Sequence, residues 1–203
     1  EVTEAYKSII ASLYSARSIS YRSSKGVVDE DLAMAVACLQ MVDSRASGVL
    51  YTRHPYDITN EHIFINAVWG LGPYAVDGVV TPDAYTVSKD ESLTVLEKNV
   101  ASQPVQLVLN HRGGVEERPV PEPQQGAPCL DDAQIRRLAG YGAALERHYK
   151  CPQDVEWALA PDGTLLSLQS RPLKIQSPKN FHLLKAAPLA GYPLLLDGCE
   201  IAS

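Results

Sequence analysis

No basic run occurs anywhere in these 203 residues, and the formal net charge is −6. Phosphate backbones are gripped by clustered lysines and arginines, so this balance argues against a general nucleic-acid binder. A small anion at a local site stays open. Nothing approaches the ~18 consecutive apolar residues of a membrane span. The opening EVTEAYKSII is a charged helical pattern and not a signal peptide. Cys38, Cys129, Cys151 and Cys199 are scattered, with neither a CxxC pair nor a histidine at metal-ligand spacing. That argues against a zinc site or a disulfide frame and fits reduced thiols. WGLG lacks the GxGxxG and Walker spacings of phosphate-cradling loops, and there are no internal repeats. Together these absences lead us to expect a soluble, cytoplasmic protein with no nucleic-acid or membrane partner.

What is present is enough apolar material, 45% of residues, for one substantial core. Val2, Ala5, Tyr6, Ile9 and Leu13 share a helical face, which predicts an amphipathic helix over 1–15. SARSISYRSSKG then reads as a polar, basic loop. The apolar run MAVACLQMV, Met34 to Val42, predicts a strand buried on both faces. GVLYTRHP and HIFINAVWG follow as strands, and Pro73 suits the first position of a helix running towards Asp77. DAYTVSK, LTVLEK and VQLVLNHRGGVEERPV predict further antiparallel strands, the last pair joined at Arg112–Gly114. Asp131 and Gln134 have capping-box spacing ahead of a helix over 131–149, whose Ile135, Leu138, Gly142, Leu145 and Tyr149 line one face. Beyond Lys174 the prolines and glycines read as a linker. The expected fold is α+β, a largely antiparallel sheet with packed helices, and its core lies at roughly 30–175.

The stretch QDVEWALAPDGTLLSLQSRP, Gln153 to Pro172, reads as a hairpin around PDGT. Alternate side chains of a strand share a face, so Val155, Trp157 and Leu159 point into the core while Asp154, Glu156 and Ala158 point away. With a four-residue loop, Ala160 faces Leu165, Glu156 faces Gln169 and Asp154 faces Arg171, with opposed Cβ atoms ~5 Å apart. Two readings fit that polar face. A carboxylate and an amide oxygen are hard ligands suited to Mg²⁺, and a neighbouring guanidinium suits a phosphoryl group. Alternatively, Asp154 and Arg171 form a surface ion pair beside a solvated Glu156 and Gln169.

Four stretches in order carry a resemblance: SLYSARSISYR, LQMVDSRASGVLYTRHP, FINAVWGLGPYAVDGVVTPDAY and QDVEWALAPDGTLLSLQSRP. Spanning about residues 12–172, they resemble the ATP-grasp nucleotide-binding domain of the phosphoenolpyruvate synthase and pyruvate phosphate dikinase family. The resemblance implies that Glu156 and Gln169 hold Mg²⁺ at the phosphates of ATP. It implies that Arg171 contacts the phosphoryl groups as the catalytic residue, and that Asp154 supports the metal. It further implies that Gln40, Met41 and Val42 line the adenine, and that Thr52 and Arg53 lie near the phosphates. Core packing for Met41 and a solvent-facing strand end for Thr52 and Arg53 are the other readings. Arg17 and Arg22 match a family segment but could simply pair with carboxylates.

The implied reaction turns ATP, pyruvate and water into phosphoenolpyruvate, AMP and phosphate by way of a phosphohistidine on another domain. A dikinase-type phosphotransferase with another acceptor, such as rifampin phosphotransferase, and a nucleotide-sensing module without turnover are the alternatives. Against the family pattern, Pro73 stands where many relatives carry a glutamate. The resemblance implies that the family's preceding lobe, which closes on the triphosphate from the other side, lies outside this sequence, as do the phosphohistidine domain and the pyruvate-binding barrel. The expected organisation is the end of a preceding ATP-grasp segment at 1–30, the ligand-bearing subdomain at 31–175, and a linker with the first strand of a phosphohistidine domain at 176–203. On that reading the fold is incomplete, chiefly one lobe, and the chain alone binds ATP weakly or not at all.

Overall fold

The computed structural model describes residues 2–27, 32–57, 59–110 and 113–174. The expected linker and phosphohistidine strand at 176–203, and Arg112 in the expected turn, lie outside them. The chain divides into two units, one ending at Met41 and the other beginning at Val42.

In the first unit, α1 (Val2–Ser12) presents Val2, Tyr6 and Ile9 on one side as expected, and none of its residues is buried. The stretch expected to be a loop is instead a second helix, α2 (Ala16–Lys25). Its serine-rich composition suggests a loop, yet serine is also a preferred N-cap. The Ser15 hydroxyl accepts from the Ser18 N–H, and Gly26 closes the other end at φ 67°, where glycine has no Cβ to clash. The Arg22 side chain folds back to donate to the Leu13 carbonyl. The expected strand at Met34 to Val42 is absent: residues 32–41 have no regular structure, and Met34, Leu39 and Met41 are exposed. Two of its apolar positions, Ala35 and Ala37, are alanines, which have little strand preference, and no described strand pairs with it.

In the second unit six strands form one sheet in the order β4-β3-β2-β1-β7-β8, and every neighbouring pair is antiparallel. These are β1 (Ala46–Tyr51), β2 (Ile63–Trp69), β3 (Asp83–Val87), β4 (Val95–Asn99), β7 (Gln153–Leu159) and β8 (Leu165–Pro172). A separate hairpin, β5 (Val105–Leu109) with β6 (Val115–Pro119), stands beside them, and two short helices, α3 (Pro73–Val76) and α4 (Glu122–Gln125), fill connections. Pro73 does open α3, as its fixed φ predicts.

Strand parity builds the core. Register aligns Val155, Leu50, Ile65 and Tyr85 across four strands, and all four are buried together with Ile135, Leu138 and Ala139 of α5 (Asp132–Tyr149). Burying each large apolar side chain contributes roughly 1.5–3 kcal/mol. Two glycines allow the close approaches. A Cβ on Gly48 would sit 1.9 Å from the Asn66 carbonyl oxygen of β2, and one on Gly142 would sit 2.6 Å from a Leu50 methyl.

α5 begins with the expected capping box: Asp131 accepts from the Gln134 N–H at 2.8 Å, and the Gln134 side chain accepts from the Asp131 N–H at 3.0 Å. Asp131→Ala is therefore expected to lower stability by about 1 kcal/mol, read as a shift in the urea midpoint at constant slope. An unmoved midpoint would mean that packing alone holds the first turn.

The fully buried Asp83, on the core side of β3, takes four hydrogen bonds. Oδ1 accepts from the Ala101 N–H at 3.0 Å and from Gln103 Nε2 at 3.2 Å, and Oδ2 accepts from the Tyr85 hydroxyl and the Cys129 N–H, each at 2.8 Å. Burial, with this carboxylate alongside, pushes both the Tyr85 phenol and the Cys129 thiol well up. Cys38, Cys129 and Cys151 are all free, and no described helix is long and apolar enough to cross a membrane.

Candidate functional site

The hairpin β7–β8 pairs Glu156 with Gln169 and Asp154 with Arg171, as parity predicts, but by a different route. The turn is one residue tighter than expected, so Leu159 rather than Ala160 faces Leu165, and Ala160 donates its N–H to the Thr164 carbonyl. Uncorrected, that slip would turn Gln169 to the other face. The register shifts between Glu156 and Trp157, and Leu168 is left without a partner, 45% exposed. This bulge restores the pairing, because one extra residue on one strand reverses the parity beyond it.

Directly opposed residues of an antiparallel ladder project from the same side. On the side away from α5, Glu156 therefore stands next to Gln169, with Asp154 and Arg171 in the adjoining row. Arg171 Nε donates to Asp154 Oδ2 at 2.8 Å. That bond, and the negative charge of Asp154, raise the already high arginine pKa further. The guanidinium is 60% exposed while the carboxylate is only 10% exposed, so the pair itself contributes at most about 1 kcal/mol. It fixes the arginine's direction instead. Register continues the face onto β1 and β2: Val49 and then Asn66 beyond Glu156, Tyr51 and then Phe64 beyond Asp154. Burial, and next the charge of Asp154, push the Tyr51 phenol up. The His54 ring meets Phe64 edge to face with centroids 4.7 Å apart. It is a packed loop histidine.

Two oxygen-bearing side chains and one further carboxylate oxygen on this face are uncommitted. Asp154 Oδ1 is buried with no hydrogen-bond partner. Neither the Glu156 carboxylate nor the Gln169 amide makes a hydrogen bond or ion pair among the described residues. No described cluster of three or more His, Cys, Asp or Glu could hold a metal, which excludes a cage built wholly from such groups among these residues. A hard cation such as Mg²⁺ has other needs: one or two protein oxygens, the remainder from water and phosphate. The Glu156 and Gln169 oxygens fit that demand.

Thr52 and Arg53 lie elsewhere in the second unit. β1 ends at Tyr51, so by parity Thr52 faces α5: it is fully buried, its hydroxyl accepts from the Gln153 N–H at 2.8 Å, and its methyl packs near Gly142. Arg53 is paired with Glu61 and lines a depression with the last turns of α5. The structure thus brings neither Thr52 nor Arg53 to the Glu156 face. Gln40 and Met41 are exposed within residues 32–41 of the first unit. Val42 is half-buried, its carbonyl accepting from the Ser44 hydroxyl at 3.3 Å. Sequence reasoning passed over Tyr51, whose even spacing from Val49 was the available signal.

Residues 1–186 match the family described as pyruvate phosphate dikinase, AMP/ATP-binding domain. The phosphoenolpyruvate synthase of Aeropyrum pernix is 34% identical over 210 residues, covering 88% of this chain and 25% of that protein. A probable phosphoenolpyruvate synthase of Pyrococcus horikoshii is 36% identical over 180 residues, 85% of this chain and 22% of that protein. The rifampicin phosphotransferase of Bacillus cereus is 34% identical over 172 residues, 85% of this chain and 19% of that protein. The chain thus spans a quarter or less of the length of these relatives.

Proposed function

Because the chain belongs to the pyruvate phosphate dikinase AMP/ATP-binding domain family, we propose that it is the ATP-binding part of a phosphoenolpyruvate synthase-like dikinase. The whole enzyme would convert ATP, pyruvate and water into phosphoenolpyruvate, AMP and phosphate through a phosphohistidine carried on another domain. One observation carries this reading. Glu156 and Gln169 oppose each other with free oxygens, beside an arginine held by Asp154. The fold we assign is ATP-grasp, chiefly one lobe. The ligand-bearing subdomain is placed in residues 31–175, after the end of a preceding segment at 1–30. Residues 176–203 would lead into the phosphohistidine domain. A complementary N-terminal lobe, that domain and a pyruvate-binding barrel are the partners such a site requires.

In this mechanism the chain performs no covalent chemistry. Its contribution is position and charge. The Glu156 carboxylate and the Gln169 amide oxygen would hold Mg²⁺, which supplies charge neutralisation at the phosphate oxygens. Arg171, restrained by Asp154, directs N–H donors at the negative charge of the phosphates, and such preorganised donors need no reorientation during transfer. Tyr51 and Phe64 extend the face without adding charge.

The rifampicin phosphotransferase relative, as similar as the synthases, favours a second reading in which the acceptor is not pyruvate. The acceptor would bind on another domain, so both readings share this face. Assaying AMP formation from ATP by the whole enzyme, with pyruvate and with rifampicin as alternative acceptors, decides between them. In the same assay Gln169→Ala is expected to raise the Mg²⁺ concentration needed for half-maximal rate about tenfold, with an unchanged circular dichroism spectrum. An unaltered Mg²⁺ dependence removes Gln169 from the metal, and ATP bound but never converted to AMP would leave only a nucleotide sensor.

A further inference from the structure

On the α5 side of the sheet, away from Glu156, lies an open depression of about 540 Å³, within the ~300–1,000 Å³ of small-molecule sites. Arg53, Lys89, Arg147 and Lys150 contribute to its wall, against a single lining carboxylate, Glu146. Four converging cations are unusual in a chain of net charge −6. Cations beside the last turn of a helix complement its dipole, and for Arg147 and Lys150 alone that would suffice. It does not account for Arg53 and Lys89, which arrive from the ends of β1 and β3 and are held three-quarters buried.

The internal pairing is incomplete. Lys89 is bonded to Glu146 at 2.8 Å and Arg53 to Glu61. Arg147 and Lys150 have no ion pair among the described residues. Arg53 also keeps its Nε buried without a hydrogen-bond partner, and an unmet buried donor is costly. Two guanidinium and two ammonium groups around one hollow offer many N–H donors and few acceptors. That is the complement of clustered anionic oxygens.

We propose that this depression binds a compact, multiply charged oxyanion at a site separate from the nucleotide face. The site does not depend on the ATP-binding reading. Arg53 belongs to it, and this gives that residue a charge-recognition role on the opposite side of the sheet from Arg171.

Calorimetric titration of the protein with inorganic pyrophosphate, without Mg²⁺ and at moderate salt, tests the assignment. Binding is expected to weaken at least about tenfold in the exposed double variant Arg147→Glu/Lys150→Glu. Arg171→Ala should bind as the unaltered protein does. So should Arg136→Glu/Arg137→Glu, which matches the change in net charge elsewhere on α5. No heat at millimolar pyrophosphate, full affinity in the Arg147/Lys150 variant, loss in Arg171→Ala, or equal loss in the Arg136/Arg137 control would each overturn the site. Failure of the ATP reading would instead leave pyrophosphate binding intact while AMP formation is absent.

Discussion

In the whole enzyme, Glu156→Gln is expected to lower kcat/KM for ATP by roughly 100-fold or more while leaving the fold unchanged. The substitution keeps the side chain's length and shape and removes one negative charge. A metal ion supplies several kcal/mol of charge stabilisation in phosphoryl transfer, and each 1.4 kcal/mol is tenfold in rate. Weakening its carboxylate ligand therefore cuts deeply. Stability should move by less than about 0.5 kcal/mol, since Glu156 is half-buried and makes no hydrogen bond or ion pair among the described residues. The decisive measurement is the Mg²⁺ dependence of AMP formation alongside thermal unfolding. A variant with unaltered rate and Mg²⁺ requirement would detach the metal from this face, however well Glu156 and Gln169 are aligned.

Asp83→Ala should act in the opposite manner, on stability and far from the nucleotide face. Its removal leaves the Ala101 and Cys129 N–H groups, the Tyr85 hydroxyl and one Gln103 amide hydrogen without their acceptor. An orphaned buried donor costs ~1–3 kcal/mol, and relaxation lets water reach some of them. The expected loss is roughly 3–5 kcal/mol, a large part of the 5–15 kcal/mol typical of a domain. Urea unfolding followed by fluorescence of the buried Trp157 reads it directly. Should Asp83→Ala fail to accumulate, Asp83→Asn keeps the shape and one acceptor, and its smaller loss serves the same purpose. A loss under ~1 kcal/mol in Asp83→Ala would show that the network is not what holds β3 to the segments carrying Ala101, Gln103 and Cys129.

Among the described residues, most regular elements and the side of the strand that carries Asp154 and Glu156 were legible in the sequence, for local reasons. A strand's period of two put Asp154 and Glu156 on one side and Val155 and Trp157 on the other, whatever the neighbours. The capping box at Asp131 spans three residues, and Pro73 at a helix start follows from its own ring. Where the sequence misled, identity of composition hid a difference of context. Serines 15–24 suggested a loop, and one of them caps a helix. An alanine-rich apolar run suggested a buried strand, and no described strand receives it.

Chemical character, periodicity and caps were thus determined by the sequence itself, because they depend on backbone geometry within a few residues. The tertiary structure alone decided the bulge at Leu168 that returns Gln169 to Glu156 and the turning of Thr52 towards α5. It alone gathered Arg53, Lys89, Arg147 and Lys150 around one hollow. Those outcomes depend on contacts between residues beyond local range along the chain, whose free energies no local pattern encodes.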